Sequence, residues 1–185
     1  MLVVNLFGAP GAGKSTLALL VAGLLKSQHP DLTVECPDEI AKLAVYDESH
    51  KALRCQIYIA GRQFWQVARC DGHADIVVCD SPILLSPVYG TEHGQTVPPS
   101  FFDVCAHYHA AFPSLNYFVM RTHQFETRAR VHDASDELRL GNKISEALYR
   151  AKAPFKTTTS SFAEAQRIVA EAAREARILK AKITE

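Results

Sequence analysis

Residues 6–20 read LFGAPGAGKSTLALL, with three glycines, a lysine and two hydroxyls between an apolar run and an apolar helical pattern. Gly8, Gly13, Lys14 and Ser15 fit G-x-x-x-x-G-K-[ST], a loop whose backbone N–H groups point inward around phosphate oxygens. We expect glycine wherever a side chain would obstruct that approach. A glycine-rich turn that only enters a helix is the alternative, but the strand before the motif and the helix after it favour a nucleoside-triphosphate site.

The predicted nucleotide site extends from this loop into the first helical turn. The helix places its N-terminal partial positive charge on the bound anion. Lys14 is expected to reach the β- and γ-phosphates, and Ser15 to offer its hydroxyl to Mg²⁺. The sequence therefore predicts ATP and Mg²⁺ as cofactors, with nucleotide-binding residues Gly8, Ala9, Pro10, Gly11, Ala12, Gly13, Lys14, Ser15 and Thr16.

Around this motif, apolar strands alternate with longer helical patterns over the 185 residues. This alternation predicts one α/β domain, residues 1–185, with the three-layer fold of P-loop NTPases: about five mostly parallel strands and helices on both faces. The predicted strands are residues 2–7, a short strand within 29–36, residues 74–80 and 114–121, and an edge strand at 154–158.

Three connecting segments have recognisable patterns. A single helix is predicted over residues 49–71, with Leu53, Ile57, Ala60, Phe64 and Val67 on its apolar face. The Pro- and Gly-rich residues 86–100 predict a mobile connection. The last helix has an apolar stripe rich in alanine, so we expect it to pack on the sheet; the stripe consists of Phe162, Ala165, Val169, Ala172, Ala176, Leu179 and Ile183.

Composition restricts the partners and the location. Twenty basic and twenty acidic residues give no net charge, which weakens but does not exclude nucleic-acid binding. Five cysteines without a CxxC pair favour a reducing cytoplasm. The amino terminus has no basic segment before its apolar stretch, and no apolar run reaches the roughly 18 residues of a membrane span, so we expect no membrane partner.

A carboxylate that holds the metal is expected at the end of a buried strand. Asp80 follows the apolar run IVVC, and Ser81 beside it could hold a metal-bound water or a phosphate oxygen. The alternative is that Asp80 caps the next turn, since Asp-Ser-Pro is favourable turn chemistry. We prefer the metal role, with Ser15 and Asp80 as the Mg²⁺ ligands.

Chain length favours a small-molecule kinase over a motor ATPase of the helicase or AAA type, which usually needs a longer core and further sensor elements. A kinase brings arginines to the transferring phosphoryl group. Arg121, Arg128 and Arg130 follow a strand at the ligand edge of the sheet, which predicts a closing lid near residues 121–132. Solvated surface arginines are the alternative.

An acceptor hydroxyl needs a base or an acid that orients it. Glu39 follows the second strand and is our candidate, with Asp38 as its competitor; the alternative is that both are first-turn residues that favour the helix dipole. Gln56 and Gln63 on the next helix suit the donor and acceptor edge of a base or amide, and Arg62 is a third candidate on that helix. The i,i+2 pair His107 and His109 points apart on a helix, so we assign no structural metal there.

Five stretches resemble a known group of proteins: NLFGAPGAGKST, VECPDEIAKLAVYDE, QIYIAGRQ, DIVVCDSPILLSPVY and FETRARVHDASDELRLGNKI. Their order is similar to that in small phage-encoded P-loop proteins related to thymidylate, deoxynucleoside and nicotinamide-riboside kinases, over most of residues 1–150. The resemblance implies a nucleoside-kinase-like fold, Glu39 as base, Gln56 against the nucleobase and Arg130 as lid arginine. Two positions depart from the pattern: Ala129 stands where a glycine usually precedes the lid arginine, and Asp-Ser-Pro at 80–82 replaces the Asp-Arg pair common in cellular nucleoside kinases.

The resemblance also includes the 5-hydroxymethyluracil DNA kinases, so the preferred acceptor is a hydroxymethylated pyrimidine in phage DNA. That preference predicts an open basic groove made of Arg62, Arg69, Arg121, Arg128 and Lys143. A free nucleoside or nucleoside monophosphate is the alternative acceptor, and it predicts a small closed pocket. A nucleotide-dependent ATPase or switch without an acceptor is the third hypothesis.

Overall fold

A five-stranded parallel sheet lies at the centre of the structure, a computed structural model that describes residues 1–92, 94, 97–121 and 134–184. Every neighbouring pair of strands is parallel, and the strand order is β2-β3-β1-β4-β5. The strands are β1 (Leu2–Phe7), β2 (Val34–Glu35), β3 (Ile76–Cys79), β4 (Ser114–Met120) and β5 (Phe155–Thr159). The predicted parallel α/β fold and its edge strand at 154–158 are confirmed.

Helices connect the strands and cover both faces of the sheet. They are α1 (Lys14–Gln28), α2 (Ile40–Tyr46), α3 (His50–Leu53), α4 (Gln56–Ala68), α5 (Leu85–Glu92), α6 (Pro99–His109), α7 (Ala134–Arg150) and α8 (Phe162–Thr184). On one face, Val4 and Leu6 of β1 pack with buried side chains of α1 and α8. On the other face, Phe7 packs with α5, α6 and α7. A parallel sheet covered on both faces explains why its strands are almost wholly apolar.

The helix predicted over residues 49–71 is wrong in its continuity and in one residue of its apolar face, Ile57, whereas Ala60 and Val67 of that face are buried. The chain turns between α3 and α4, where the Gln56 side-chain amide donates to the carbonyl oxygen of Leu53 at 3.0 Å. Gln56 and Gln63 lie on the buried side of α4, whereas Ile57 is exposed. The polar contacts of the two glutamines, described below, help to determine which side of α4 is buried, and the apolar spacing did not reveal this.

The prediction of a mobile connection over residues 86–100 is also wrong for its first half. Helix α5 begins at Leu85 and runs to Glu92, and Ser86, Val88 and Gly90 on it are buried. Val88 and Leu85 belong to the core on the face of the sheet that carries α6 and α7. Proline and glycine here allow a tightly packed helix, so their abundance misled the sequence-based assignment.

The last helix, α8, packs on α1 and on β1, as expected for a helix that covers the sheet. Its alanines at 165, 172 and 176 are buried and let the two helices approach closely. Phe162 is exposed, however, so the buried stripe begins at Ala165 and not at the first residue of the helix.

All five cysteines, Cys36, Cys55, Cys70, Cys79 and Cys105, are free thiols, and the last three are buried. Across the described ranges, the helices fall short of the length and apolar character that crossing a bilayer would take. The carboxyl ends of β1, β3 and β4 meet at one edge of the sheet, and the candidate site lies at this edge.

Candidate active site

The glycine-rich loop runs from the end of β1 to the start of α1, and three of its glycines have positive φ angles. A Cβ at Gly8 would lie 2.7 Å from the carbonyl oxygen of Val119, and a Cβ at Gly13 would lie 2.5 Å from Ser160 Oγ. These two glycines are therefore required by contact with β4 and with the segment after β5. The sequence motif predicted that glycine leaves space for phosphate. It did not reveal that glycine is also needed here to avoid contact with other protein atoms.

Lys14, the first residue of α1, lies beneath the loop. Its Nζ donates to the carbonyl oxygens of Gly8 (2.8 Å) and Ala9 (3.0 Å). Burial lowers the pKa of the Lys14 ammonium, while the negative charges of Glu39 and Asp80 act in the opposite direction. The structure thus brings together three of the predicted catalytic residues: Lys14 after β1, Glu39 after β2 and Asp80 after β3.

Asp80 directly follows β3, the strand next to β1. Asn5 of β1 pairs in register with Cys79, so Asp80 lies beside the last residues of β1, where the phosphate loop begins. Neighbouring strands are about 4.8 Å apart, which places a carboxylate close to the loop without an intervening strand. This adjacency explains why the charge of Asp80 acts on both Lys14 and Glu39.

Glu39 occupies the N-cap position of α2, yet its side chain makes no capping hydrogen bond. Burial and the nearby charge of Asp80 raise the pKa of the Glu39 carboxyl, and Lys14 and Lys42 oppose this rise. Asp38, its predicted competitor, is exposed. A partly buried carboxylate with a raised pKa suits proton transfer, because it is a stronger base than an ordinary glutamate carboxylate.

Gln63 holds the start of α2 in place. Its Oε1 accepts a hydrogen bond from the Ile40 backbone N–H at 3.0 Å, and its Nε2 contacts Cys79 Sγ at 3.8 Å. Both ends of this buried amide therefore contact protein groups. We had predicted contact with the substrate; the structure instead favours a positioning role, since Gln63 links the residue after Glu39 to the residue before Asp80.

Gln56 and Tyr89 lie on adjoining helices on the acceptor side. Gln56 is buried at the start of α4, and a Cβ at Gly90 would lie 3.4 Å from its Cγ, so α4 and α5 are in close contact there. Burial raises the pKa of the Tyr89 phenol, and the charge of Glu39 adds to this rise. The sequence analysis missed Tyr89 because its segment was predicted to be a loop.

The predicted basic groove is not assembled by the described residues. Arg69 follows the C-terminal end of α4 and therefore lies toward the opposite edge of the sheet from the phosphate loop. Arg62 is exposed, with its guanidinium 5.8 Å from the Tyr58 ring centre. Lys143 of α7 forms an ion pair with Glu92 of α5.

Of the three predicted lid arginines, Arg121 alone lies among the described residues. It follows β4, and its Nη2 donates to the carbonyl oxygen of Pro10 at 3.0 Å, which links the lid base to the phosphate loop. Arg128 and Arg130 lie outside the described residues, as do positions 122–132 of the predicted lid. The catalytic roles of all three remain predictions.

The donor set at this edge fits Mg²⁺. Ser15 is exposed in the first turn of α1, and the Asp80 carboxylate lies at the neighbouring strand end. Within residues 1–92, 94, 97–121 and 134–184, no three His, Cys, Asp or Glu side chains form a cluster that could hold a metal by themselves. Mg²⁺ usually takes one or two protein oxygens and completes its shell with water and substrate phosphates. Ser15 and Asp80 therefore stay the predicted ligands.

Comparison with known proteins gives one family match. The sequence profile of a family described as an AAA domain matches residues 3–165. A comparison with curated protein sequences gave no match.

Two solved kinase structures are similar in fold. Deoxyadenosine kinase from M. mycoides with bound dATP has a TM-score of 0.51 and 14% identity, over 93% of this chain and 99% of that chain. Thymidylate kinase from Ehrlichia chaffeensis has a TM-score of 0.49 and 15% identity, over 80% of this chain and 98% of that chain. The first likeness shows that the P-loop nucleoside-kinase fold is present.

Proposed function

The chain belongs to the AAA-domain family, and on that premise we propose that it is a kinase that transfers the γ-phosphate of Mg·ATP to a hydroxyl of a nucleoside-like acceptor. The observation that carries this proposal is the meeting of Lys14, Glu39 and Asp80 at one edge of the sheet. A phosphate-binding cation, a metal-binding carboxylate and a carboxyl with a raised pKa are the groups that phosphoryl transfer to a hydroxyl requires.

In this proposal each group has one task. Lys14 leaves its loop carbonyls and binds the β- and γ-phosphates, while Glu39 accepts the proton of the acceptor hydroxyl. Ser15 and Asp80 hold Mg²⁺, which when bound neutralises charge on the phosphate oxygens. Arg121 holds the phosphate loop through Pro10. Arg128 and Arg130 are proposed to stabilise the transferring phosphoryl group.

For the acceptor we propose a free nucleoside or nucleotide. Support comes from the burial of Gln56 and the partial burial of Glu39 and Tyr89, because such residues form the wall of a closed pocket better than that of an open groove. The M. mycoides relative is named a deoxyadenosine kinase, so a kinase of this fold has a nucleoside acceptor. Hydroxymethylated pyrimidine within DNA, preferred on sequence grounds, receives less support because those of the predicted DNA-binding basic residues that the structure describes are dispersed.

Hydrolysis without an acceptor is the second candidate function. The AAA-domain description of the matching family favours it, because the sequence analysis named the AAA type among the motor ATPases. Chain length argues against a motor ATPase, whereas the family match makes an ATPase a candidate again. The raised pKa of Glu39 is compatible with either reaction, because a base can activate water as well as a substrate hydroxyl.

One labelling experiment distinguishes these functions. The chain is incubated with γ-labelled ATP and Mg²⁺ together with nucleosides, nucleoside monophosphates or hydroxymethylated duplex DNA, and the label is followed. Label on a nucleoside or monophosphate supports the proposal. Label on DNA would establish the sequence-based acceptor, and inorganic phosphate alone in every arm would establish the ATPase. Lys14→Ala serves as the control that removes activity of this site in all arms.

A further inference from the structure

A line of polar side chains crosses the largely apolar sheet at one register. Asn5 of β1 pairs in register with Cys79 of β3 on one side and with Asn116 of β4 on the other. Residues in register on neighbouring parallel strands point to the same face of the sheet, so these three side chains lie side by side. We refer to them as the polar row. Asn5 and Asn116 are buried, so their amide groups need hydrogen-bond partners within the protein.

Hydrogen bonds extend the polar row in both directions. Asn5 Nδ2 donates to Asn116 Oδ1 at 3.0 Å, and Asn116 Nδ2 donates to the carbonyl oxygen of Pro154 at 3.1 Å. On the other side, Gln63 Nε2 of α4 donates to Cys79 Sγ at 3.8 Å. In the part of the chain that the structure describes, no hydrogen bond joins Asn5 to Cys79. The network is therefore interrupted between β1 and β3.

A small cavity lies at this interruption, on the side of the sheet that carries α4 and α6. Its volume is about 30 Å³, and its lining includes Asn5, Gln63, Cys79 and His109. Drug-sized ligands occupy pockets of roughly 300 Å³ or more, so the cavity is too small for them. A single water needs about 10–15 Å³ and two to four polar partners, and the cavity meets both requirements.

His109, the last residue of α6, brings a buried polar atom to the lining of this cavity. Its Nε2 has no hydrogen-bond partner among the residues that the structure describes. Burial lowers the pKa of the His109 imidazole to about 4, so the ring is neutral near neutral pH and one of its nitrogens can accept a hydrogen bond. Because burial of such a group without a partner costs free energy, a further polar group is expected beside it.

We propose that one water molecule occupies this cavity and joins the two parts of the network, with His109 as its third partner. The water donates to Asn5 Oδ1 and to His109 Nε2, and it accepts from the Cys79 thiol. The thiol can donate because burial raises the pKa of Cys79 to about 12, so the sulfur keeps its proton. Buried waters make about three hydrogen bonds, as this one does.

The completed network gives His109 a positioning role in the candidate active site. Gln63, which the network reaches through Cys79, holds the start of α2, where Glu39 lies. Cys79 itself directly precedes Asp80. Hydrogen bonds in a connected network strengthen one another, so loss of the His109 nitrogen should loosen this support. The positioning role rests on the proposed function, whereas the water site does not.

A high-resolution crystal structure of the full, unaltered chain tests the water site without reference to activity. We expect density for one water at about 2.7–3.2 Å from both His109 Nε2 and Asn5 Oδ1. A cavity without water density overturns the proposal. So does a His109 Nε2 that bonds directly to another protein group, because the water would then have no third partner.

A matched pair of substitutions tests the positioning role. His109→Phe keeps an aromatic ring but removes both nitrogens, whereas His107→Phe makes the same change two residues earlier at an exposed position. His109→Phe should lower the thermal midpoint and reduce kcat by about 3–10-fold, the effect of one ordinary hydrogen bond, with the KM for ATP unchanged. His107→Phe should behave as the unaltered chain does.

Rescue separates lost hydrogen bonding from altered packing at His109. His109→Gln again offers a hydrogen-bond acceptor, so it should restore most of kcat. A His109→Gln protein no faster than His109→Phe overturns the positioning role, as does an equal change of kcat and KM in His109→Phe. Should His109→Phe fail to fold, His109→Met makes the same comparison with a flexible side chain that fits irregular space.

Failure of this inference differs from failure of the proposed function. An unaltered chain that transfers phosphate to none of the acceptors removes the proposed reaction, and the crystal structure still tests the water site. An active chain with water in the cavity and an unchanged kcat in His109→Phe overturns the positioning role alone.

Discussion

The phosphate side and the acceptor side of the site differ in how far apart along the chain their residues lie. The phosphate side is residues 8–16, one unbroken stretch whose contacts with a ligand are mostly backbone N–H groups. The acceptor side is Glu39, Gln56, Gln63 and Tyr89, side chains from separate segments that helix packing brings together. The first depends on local backbone shape, whereas the second depends on distant contacts, so different substitutions should impair them.

The largest effect is expected from Lys14→Ala on the phosphate side. Loss of the ammonium should reduce phosphoryl transfer by about 10²–10³-fold, as removal of a preorganised charge-stabilising group does. The fold should remain intact, because burial already disfavours this charge. Transfer rates and thermal melting measure the two effects. Lys26→Ala, at the exposed far end of the same helix, is the control, and near-normal transfer by Lys14→Ala would remove the site assignment.

Glu39→Gln on the acceptor side should lower the rate of transfer about a hundredfold while ATP affinity changes little. The raised pKa of Glu39 means that the folded chain holds this proton more tightly than the unfolded chain. The unaltered protein should therefore lose stability relative to Glu39→Gln as the pH rises from the unfolded pKa through the raised folded pKa. Below both values the two proteins should melt alike.

Measurements of kcat, ATP binding and melting against pH test these expectations for Glu39. Asp38→Asn, one residue earlier and exposed, is the matched control. Equal losses of transfer and of ATP affinity would argue against a role as base.

Gly13→Ala tests whether the phosphate side truly depends on backbone shape. The added Cβ meets Ser160 Oγ at a residue with φ of 92°, so we expect a loss of about 2 kcal/mol in the free energy of unfolding. ATP binding should fall with it. Gly23→Ala on the same helix meets nothing within 4 Å and should instead stabilise by about 0.5–1 kcal/mol.

Chemical denaturation of both glycine variants measures these values. Ser160→Gly in the Gly13→Ala background should restore part of the loss, because it removes the contacting atoms. A Gly13→Ala protein as stable as the unaltered chain would contradict the contact.

The smallest effect is expected from Gln63→Ala, which removes the acceptor for the Ile40 N–H. One unpaired buried donor costs about 1–2 kcal/mol of stability. Because Glu39 would then be less well held, kcat should fall several-fold and its pH profile should shift, while the KM for ATP stays unchanged. A simple packing defect would not alter the pH profile. Gln66→Ala, on the same helix and half-buried, is the control.

The same contrast explains how much could be predicted from the sequence. The phosphate loop and the strand before it are formed by consecutive residues, and Asp80 directly follows β3. Local spacing was therefore sufficient to predict these strands and to place Lys14, Glu39 and Asp80 at one edge of the sheet. The parallel sheet followed from the alternation of strands and helices, whereas the order of its strands was not predicted. These elements could be predicted without knowing which side chains contact each other.

The acceptor side could not be predicted in the same way. Apolar spacing placed Ile57 in the core of α4, but the Gln63 bonds to Ile40 and Cys79 rotate the helix and leave Ile57 exposed. Composition likewise misled the assignment around Tyr89, because Pro87 and Gly90 are packed within α5. In both places, contacts between distant residues override the local preference.

The supports of the phosphate loop have a consequence for how the protein is made. Gly8 lies against Val119, and Gly13 lies against Ser160, close to the last helix. A nascent chain therefore contains the complete nucleotide-binding motif well before the ribosome has synthesised the two segments that lie against its glycines. Nucleotide is therefore expected to stabilise the loop fully only after residue 160 has emerged from the ribosome.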